Sequence, residues 1–166
     1  MKKATIFAPG IALVMVLMLA AVLGMAHTAD DPFVTNLTAG QDTTVGTVSV
    51  WNDADTLYVQ YETTDSWVIN ESHLAVNTSY KAIPQTKNGN PQPGQFEYSN
   101  VSVTSDYTYE INNTWDVNAT VFIAAHAEVL LLNDTGVGIQ EETAWGDGAQ
   151  FNAGRNWAMF FKYVIQ

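Results

Sequence analysis

Two short segments carry the residue types that could do chemistry. Glu71 and His73 lie in "NESHLAV", and His126 and Glu128 lie in "AAHAEVL". Residues two apart in an extended strand share a face, so each segment presents one imidazole beside one carboxylate. If the two strands are neighbours, all four side chains converge. Nitrogen and oxygen donors of this kind suit Zn²⁺ or another divalent metal.

The same pattern also suits a structural role, which we favour for these residues. Cross-strand hydrogen bonds between histidine and glutamate can fix the register of a sheet without any metal. His126 also lies among apolar neighbours, in "IAAHAEV". We therefore predict no cofactor and keep a divalent metal bound by Glu71, His73, His126 and Glu128 as the alternative.

No motif in the sequence indicates catalysis. The chain has no cysteine, no glycine-rich phosphate loop and no nucleophile-elbow pattern. We therefore expect a protein that is not an enzyme.

Asparagine-linked glycosylation is indicated by seven Asn-x-Ser/Thr tripeptides. Among 13 Asn and 25 Ser or Thr in 166 residues, random placement predicts about two such tripeptides. Thr-rich strands and Asn-rich turns could also generate them by accident. We predict glycans as partners of the protein, at Asn36, Asn70, Asn77, Asn100, Asn112, Asn118 and Asn133.

The N-terminal segment predicts export. Lys2 and Lys3 precede 23 uncharged residues, 4–26, and the small residues Gly24 and Ala26 suit cleavage before His27. A segment of that length could instead stay as a membrane anchor, and the membrane would then be contacted through residues 4–26 alone. Either way we expect the rest of the chain outside the cell or on its surface.

The charge of the chain bears on its partners, and its cysteine content bears on its stability. Six basic residues against 17 acidic ones give a net charge of −11, so a nucleic-acid partner is not expected. An exported chain without cysteine has no disulfide to stabilise it. Its stability must come from the core, from bound ions or from neighbouring subunits.

Beyond Pro32 the apolar residues alternate with a period of two, which indicates strands. "TVGTVSVW" and "TLYVQYET", separated by the turn "NDAD", predict a hairpin. Further strands are predicted over 66–76, 107–111, 119–132, 139–145 and 156–165, and the proline-rich segment 81–98 is predicted to be a loop. We expect an all-β fold of eight or nine strands, a single antiparallel β-sandwich of the immunoglobulin-like or jelly-roll type. Residues 43–166 would form the sandwich, and residues 27–42 an extended leader or its first strand.

Several strings resemble a domain of unknown function that recurs in exported bacterial and archaeal proteins. They are "WNDADTLYVQY", "ESHLAV", "GNPQPGQFEY", "IAAHAEV" and "ETAWGDGAQFNAGRNWAMFFKYVIQ". The resemblance runs from about residue 45 to the last residue. It implies a secreted all-β module, alone or at the end of a larger surface protein, with no assigned reaction or site.

Together these features predict an exported, N-glycosylated cell-surface protein with a structural or adhesive role. It would be a subunit of a cell coat, sheath or extracellular filament, and its partners would include copies of itself or other surface proteins. The alternative is an extracellular module that binds carbohydrate through exposed tryptophans or a divalent metal through the His and Glu residues.

Overall fold

A computed structural model describes residues 26–166 of the chain. The predicted signal peptide or anchor, residues 1–26, lies outside the described residues except for Ala26. Within the described range, no helix has the length and apolar character needed to cross a bilayer.

The described chain forms ten antiparallel β-strands and two 3₁₀ turns. The strands are β1 (Phe33–Ala39), β2 (Thr43–Asn52), β3 (Thr56–Thr63), β4 (Trp67–Asn77), β5 (Tyr98–Thr104), β6 (Asp106–Asn112), β7 (Thr120–Leu132), β8 (Gly138–Gly146), β9 (Ala149–Gln150) and β10 (Met159–Val164). The 3₁₀ turns, Tyr80–Ala82 and Pro93–Gln95, lie in the proline-rich loop. The predicted all-β class is confirmed.

Eight strands follow one another in a single hydrogen-bonded path, β5-β4-β7-β8-β1-β2-β3-β6, and β10 joins it by pairing with β7 and β9. The predicted hairpin is β2 and β3, paired from Gly46–Thr63 to Asn52–Leu57. Along β3, Leu57, Val59 and Tyr61 are fully buried, as their alternation predicts. Residues 33–39 of the segment before the hairpin form β1, which pairs with both β2 and β8.

The sheet folds over its own core, so that β3 and β6 face β4. The hydroxyl of Tyr61 on β3 donates a hydrogen bond to the backbone carbonyl of His73 on β4, at 3.0 Å. Tyr109 on β6 likewise donates to the carbonyl of Ser72, at 3.1 Å. Because the two facing halves belong to one continuous path of strands, the predicted division into two separate sandwich sheets is not confirmed.

A second apolar cluster lies on the outer face of β4, β7 and β8. Ala75 and Ala124 alternate along their strands with residues of the main core, so they face away from it. They pack with Trp145 of β8 beneath residues of the proline-rich loop and of the segment between β9 and β10. The covering residues are Ile83, Phe96, Phe151 and Ala158. This cover forms the surroundings of the candidate site.

Candidate functional site

All four predicted metal-ligating residues come together, because β4 and β7 are neighbours. In the antiparallel register His73 lies opposite His126, and Glu71 lies opposite Glu128. The four side chains therefore occupy two successive pairs on the same face of these strands, separated by the pair of Ser72 and Ala127.

A β-bulge at Asn70 puts the side chains of Glu71 and His73 on the outer face. Before it, Trp67 and Ile69 point into the core; after it, Leu74 and Val76 do so. The extra residue changes the phase of the strand, as bulges do. The sequence carries this signal, since the apolar positions of the segment switch from odd to even numbers.

The four residues form a continuous chain of polar contacts across the strands. His73 Nε2 lies 3.1 Å from Glu71 Oε1, and His126 Nε2 lies 3.4 Å from Glu128 Oε1. The two imidazoles meet through their other nitrogens, with 3.2 Å between the Nδ1 atoms. On β8 the hydroxyl of Thr143 donates to Glu128 at 3.3–3.4 Å. This chain of polar contacts therefore extends over three strands.

The imidazoles are covered, whereas the carboxylates reach solvent. The side chains of His73 and His126 are 11% and 5% exposed, and those of Glu71 and Glu128 are 37% and 44% exposed. The ring of Trp145 packs against His126 at a centroid distance of 4.8 Å. The polar chain therefore lies at the border of the second apolar cluster, with its two acidic ends toward water.

Burial and neighbouring groups shift the pKa values of His73 and Glu128. Burial, followed by the charge of His126, lowers the pKa of His73, although Glu71 and Glu128 oppose this shift. The hydrogen bond from His126 lowers the pKa of Glu128, and the charges of the two histidines and the bond from Thr143 add to this effect against burial. Glu128 is therefore a carboxylate at neutral pH.

The contacts of the two imidazoles restrict where their hydrogens lie. A carboxylate oxygen accepts hydrogen bonds, so an Nε2 that donates to it carries the hydrogen. If both rings are neutral, both Nδ1 atoms are then bare lone pairs that face each other at 3.2 Å. Such a contact is repulsive. A hydrogen on one of the two Nδ1 atoms, or a cation bound by both, removes the repulsion.

The four residues do not form a cage in which every side chain is a ligand. Among residues 26–166, no group of three or more His, Asp or Glu side chains is arranged to hold one metal ion. The reason is visible in the distances, since each carboxylate is engaged by the Nε2 of its own histidine.

None of the seven predicted glycosylation sites is fully buried. The side chains of Asn36, Asn112, Asn118 and Asn133 are exposed, whereas Asn70, Asn77 and Asn100 are partly buried. The Nδ2 atom of Asn100, to which a glycan would be attached, is buried without a hydrogen-bond partner. This position is therefore unsuited to carry a glycan in the folded protein.

A surface cleft of about 470 Å³ opens between the start of β5 and the end of β6. Tyr98 and Trp115 contribute aromatic rings to its lining, and Glu97 and Glu110 contribute carboxylates. Sequence reasoning missed this cleft, because it depends on the meeting of two strands that end the path of the sheet.

The five tryptophans divide between interior and surface. Trp67 and Trp145 are buried, whereas Trp51, Trp115 and Trp157 are partly exposed. Trp51 stacks on Tyr58 with centroids 5.1 Å apart.

Comparisons with models of known protein families, with curated proteins and with solved structures find no match to this chain. The resemblance to an exported domain of unknown function therefore stays a prediction. Function has to be argued from the geometry alone.

Proposed function

We propose that this chain is an exported, N-glycosylated cell-surface protein with a structural or adhesive role, as a subunit of a coat, sheath or extracellular filament. The observation that carries the proposal is the surface position of the glycosylation tripeptides. Four of their seven asparagines are exposed, and they lie on β1, at the end of β6, in the turn before β7 and in the turn between β7 and β8. Glycans at these places would extend into solvent without disturbing the core.

The hydrogen bonds of Asn133 give further support to the proposal. It lies in the turn between β7 and β8, where its Oδ1 accepts hydrogen bonds from the backbone of Thr135 and Val137 and from the Thr135 hydroxyl, at 2.7–3.0 Å. This contact holds the asparagine and the threonine of the tripeptide together in an exposed turn. We expect Asn133 to be modified.

The structural role is supported by the terminal strand β5. It ends the path of the sheet, so one edge carries unpaired backbone groups that a strand of another copy could extend. Val101 and Val103 on this strand are 77% and 63% exposed. An edge with apolar side chains is suited to pairing between subunits.

The assembly proposal is tested by particle size. Purified protein is compared with Val103→Lys and with the control Val137→Lys, which changes an equally apolar residue, 57% exposed, in the β7–β8 turn. We expect concentration-dependent assembly of the wild type and the control by light scattering and electron microscopy, and dispersed Val103→Lys. Monomers of the wild type at high concentration would contradict the filament role.

Carbohydrate binding is a second candidate, favoured by the cleft between β5 and β6. Aromatic faces beside carboxylate acceptors are the groups that a sugar ring and its hydroxyls contact. On a glycan array, Trp115→Ala should lose binding that Trp157→Ala, a control outside this cleft, retains. Absence of any bound glycan with the wild type would end this candidate.

A further inference from the structure

The contact between His73 and His126 has the dimensions of a metal-binding pair. Two nitrogens bound to one tetrahedral Zn²⁺, each at about 2.0–2.1 Å, are about 3.3 Å apart. The two Nδ1 atoms lie 3.2 Å apart. A small cation can therefore bind both nitrogens with little movement of either ring.

Glu71 and Glu128 contact the histidines as carboxylates commonly do around a metal-binding histidine. Metal-binding histidines commonly donate their second ring N–H to a carboxylate, which orients the ring and makes the free nitrogen a better ligand. Here both rings do so, His73 to Glu71 and His126 to Glu128. The same arrangement occurs on each strand, and it leaves the two Nδ1 atoms beside each other at 3.2 Å.

The local charge also favours a cation. In the described part of the chain, the ion pairs formed by Glu71 and Glu128 are with these histidines, and no lysine or arginine lies within ion-pair distance of either carboxylate. Two acidic side chains therefore flank the pair of rings. Both carboxylates are exposed by more than a third, so the site borders solvent.

We propose that His73 and His126 bind one divalent ion of the Zn²⁺ or Cu²⁺ class through their Nδ1 atoms, and that Glu71 and Glu128 orient the rings. Imidazole donors select these ions over Mg²⁺ and Ca²⁺, which prefer oxygen. Water completes the coordination, because two ligands come from this chain. The proposal revises the alternative raised from the sequence, in which all four residues bind the metal, and it does not depend on export or glycosylation.

The experiment is a titration of the full chain, purified without a histidine tag, with Zn²⁺ in a calorimeter. We expect one Zn²⁺ per chain. His126→Gln should weaken binding at least tenfold, and Glu128→Gln should weaken it by about 10–100-fold, the usual cost of losing an outer carboxylate. His27→Gln is the matched control, because His27 contacts Asp31 instead of the pair, and its affinity should equal that of the wild type. Circular dichroism checks that each variant folds.

A second measurement identifies the ligand atoms without any substitution. In ¹⁵N NMR spectra of the imidazoles, Zn²⁺ should shift the Nδ1 resonances of two histidines and leave the third unchanged. The proposal is overturned if Zn²⁺ does not bind, which would leave a hydrogen on one of the two Nδ1 atoms, if His126→Gln binds as well as the wild type, or if the Nε2 resonances shift instead. None of these outcomes bears on whether the protein is glycosylated.

Discussion

Tyr61→Phe tests how the sheet is held closed behind the candidate site. Tyr61 is fully buried on β3, and its hydroxyl donates to the carbonyl of His73 on β4 at 3.0 Å. The substitution removes one buried hydrogen bond and leaves an acceptor less well satisfied. Such a loss costs about 1–2 kcal/mol of unfolding free energy, which for a domain of this size lowers Tm by about 2–8 °C.

The assay is urea unfolding followed by tryptophan fluorescence. Tyr58→Phe is the matched control, because it removes the same atom from the same strand on the outer face. There the hydroxyl lies 3.3 Å from the exposed carboxylate of Asp53, so we expect a change of less than about 0.5 kcal/mol. The slope of free energy against urea should stay the same in both variants, since it reports the area exposed on unfolding. Equal stability of the two variants would refute the argument that β3 is anchored to β4 across the core.

Two further predictions concern the hairpin of β2 and β3. Backbone N–H groups in the turn donate to Asp53 and lower the pKa of its carboxyl below 3.8, so its contribution to stability is present above that pH and is lost as pH falls through the folded-state pKa. The stability difference between wild type and Asp53→Asn, measured by urea unfolding, should therefore be constant above pH ~5 and shrink below pH ~4; a difference independent of pH would contradict this. Gly46→Ala should cost about 3 kcal/mol of unfolding free energy, because the added carbon would overlap the backbone oxygen of Glu62. Gly94→Ala, whose added carbon meets nothing within 4 Å, is the control in thermal unfolding, and equal effects of the two substitutions would refute the predicted clash.

The alternation of apolar and polar residues predicts most of the strands but not how they pair. The buried residues of β3 follow from their period of two, and the turn before them has a recognisable composition. β5 was missed, because "YSNVSVT" directly follows the proline-rich loop and exposes its valines. The continuous path of strands and the second cluster depend on contacts between distant segments, which periodicity does not report.

The sequence predicts the candidate site on the condition that the strands carrying the two histidines are neighbours, and in the fold these strands, β4 and β7, are paired. Spacing alone placed each histidine beside a glutamate, and the convergence of the two pairs required β4 and β7 to be neighbours. What spacing could not supply is the direction of each ring. In the folded chain each imidazole contacts a carboxylate through Nε2 and the other imidazole through Nδ1.

The most direct test of the proposed function is the intact mass of the protein recovered from the surface of its own cells, followed by mapping of its peptides. We expect a mass above that of the polypeptide, with glycans on exposed asparagines such as Asn36, Asn112, Asn118 and Asn133 and none on Asn100. An unmodified chain recovered from inside the cell would contradict the account.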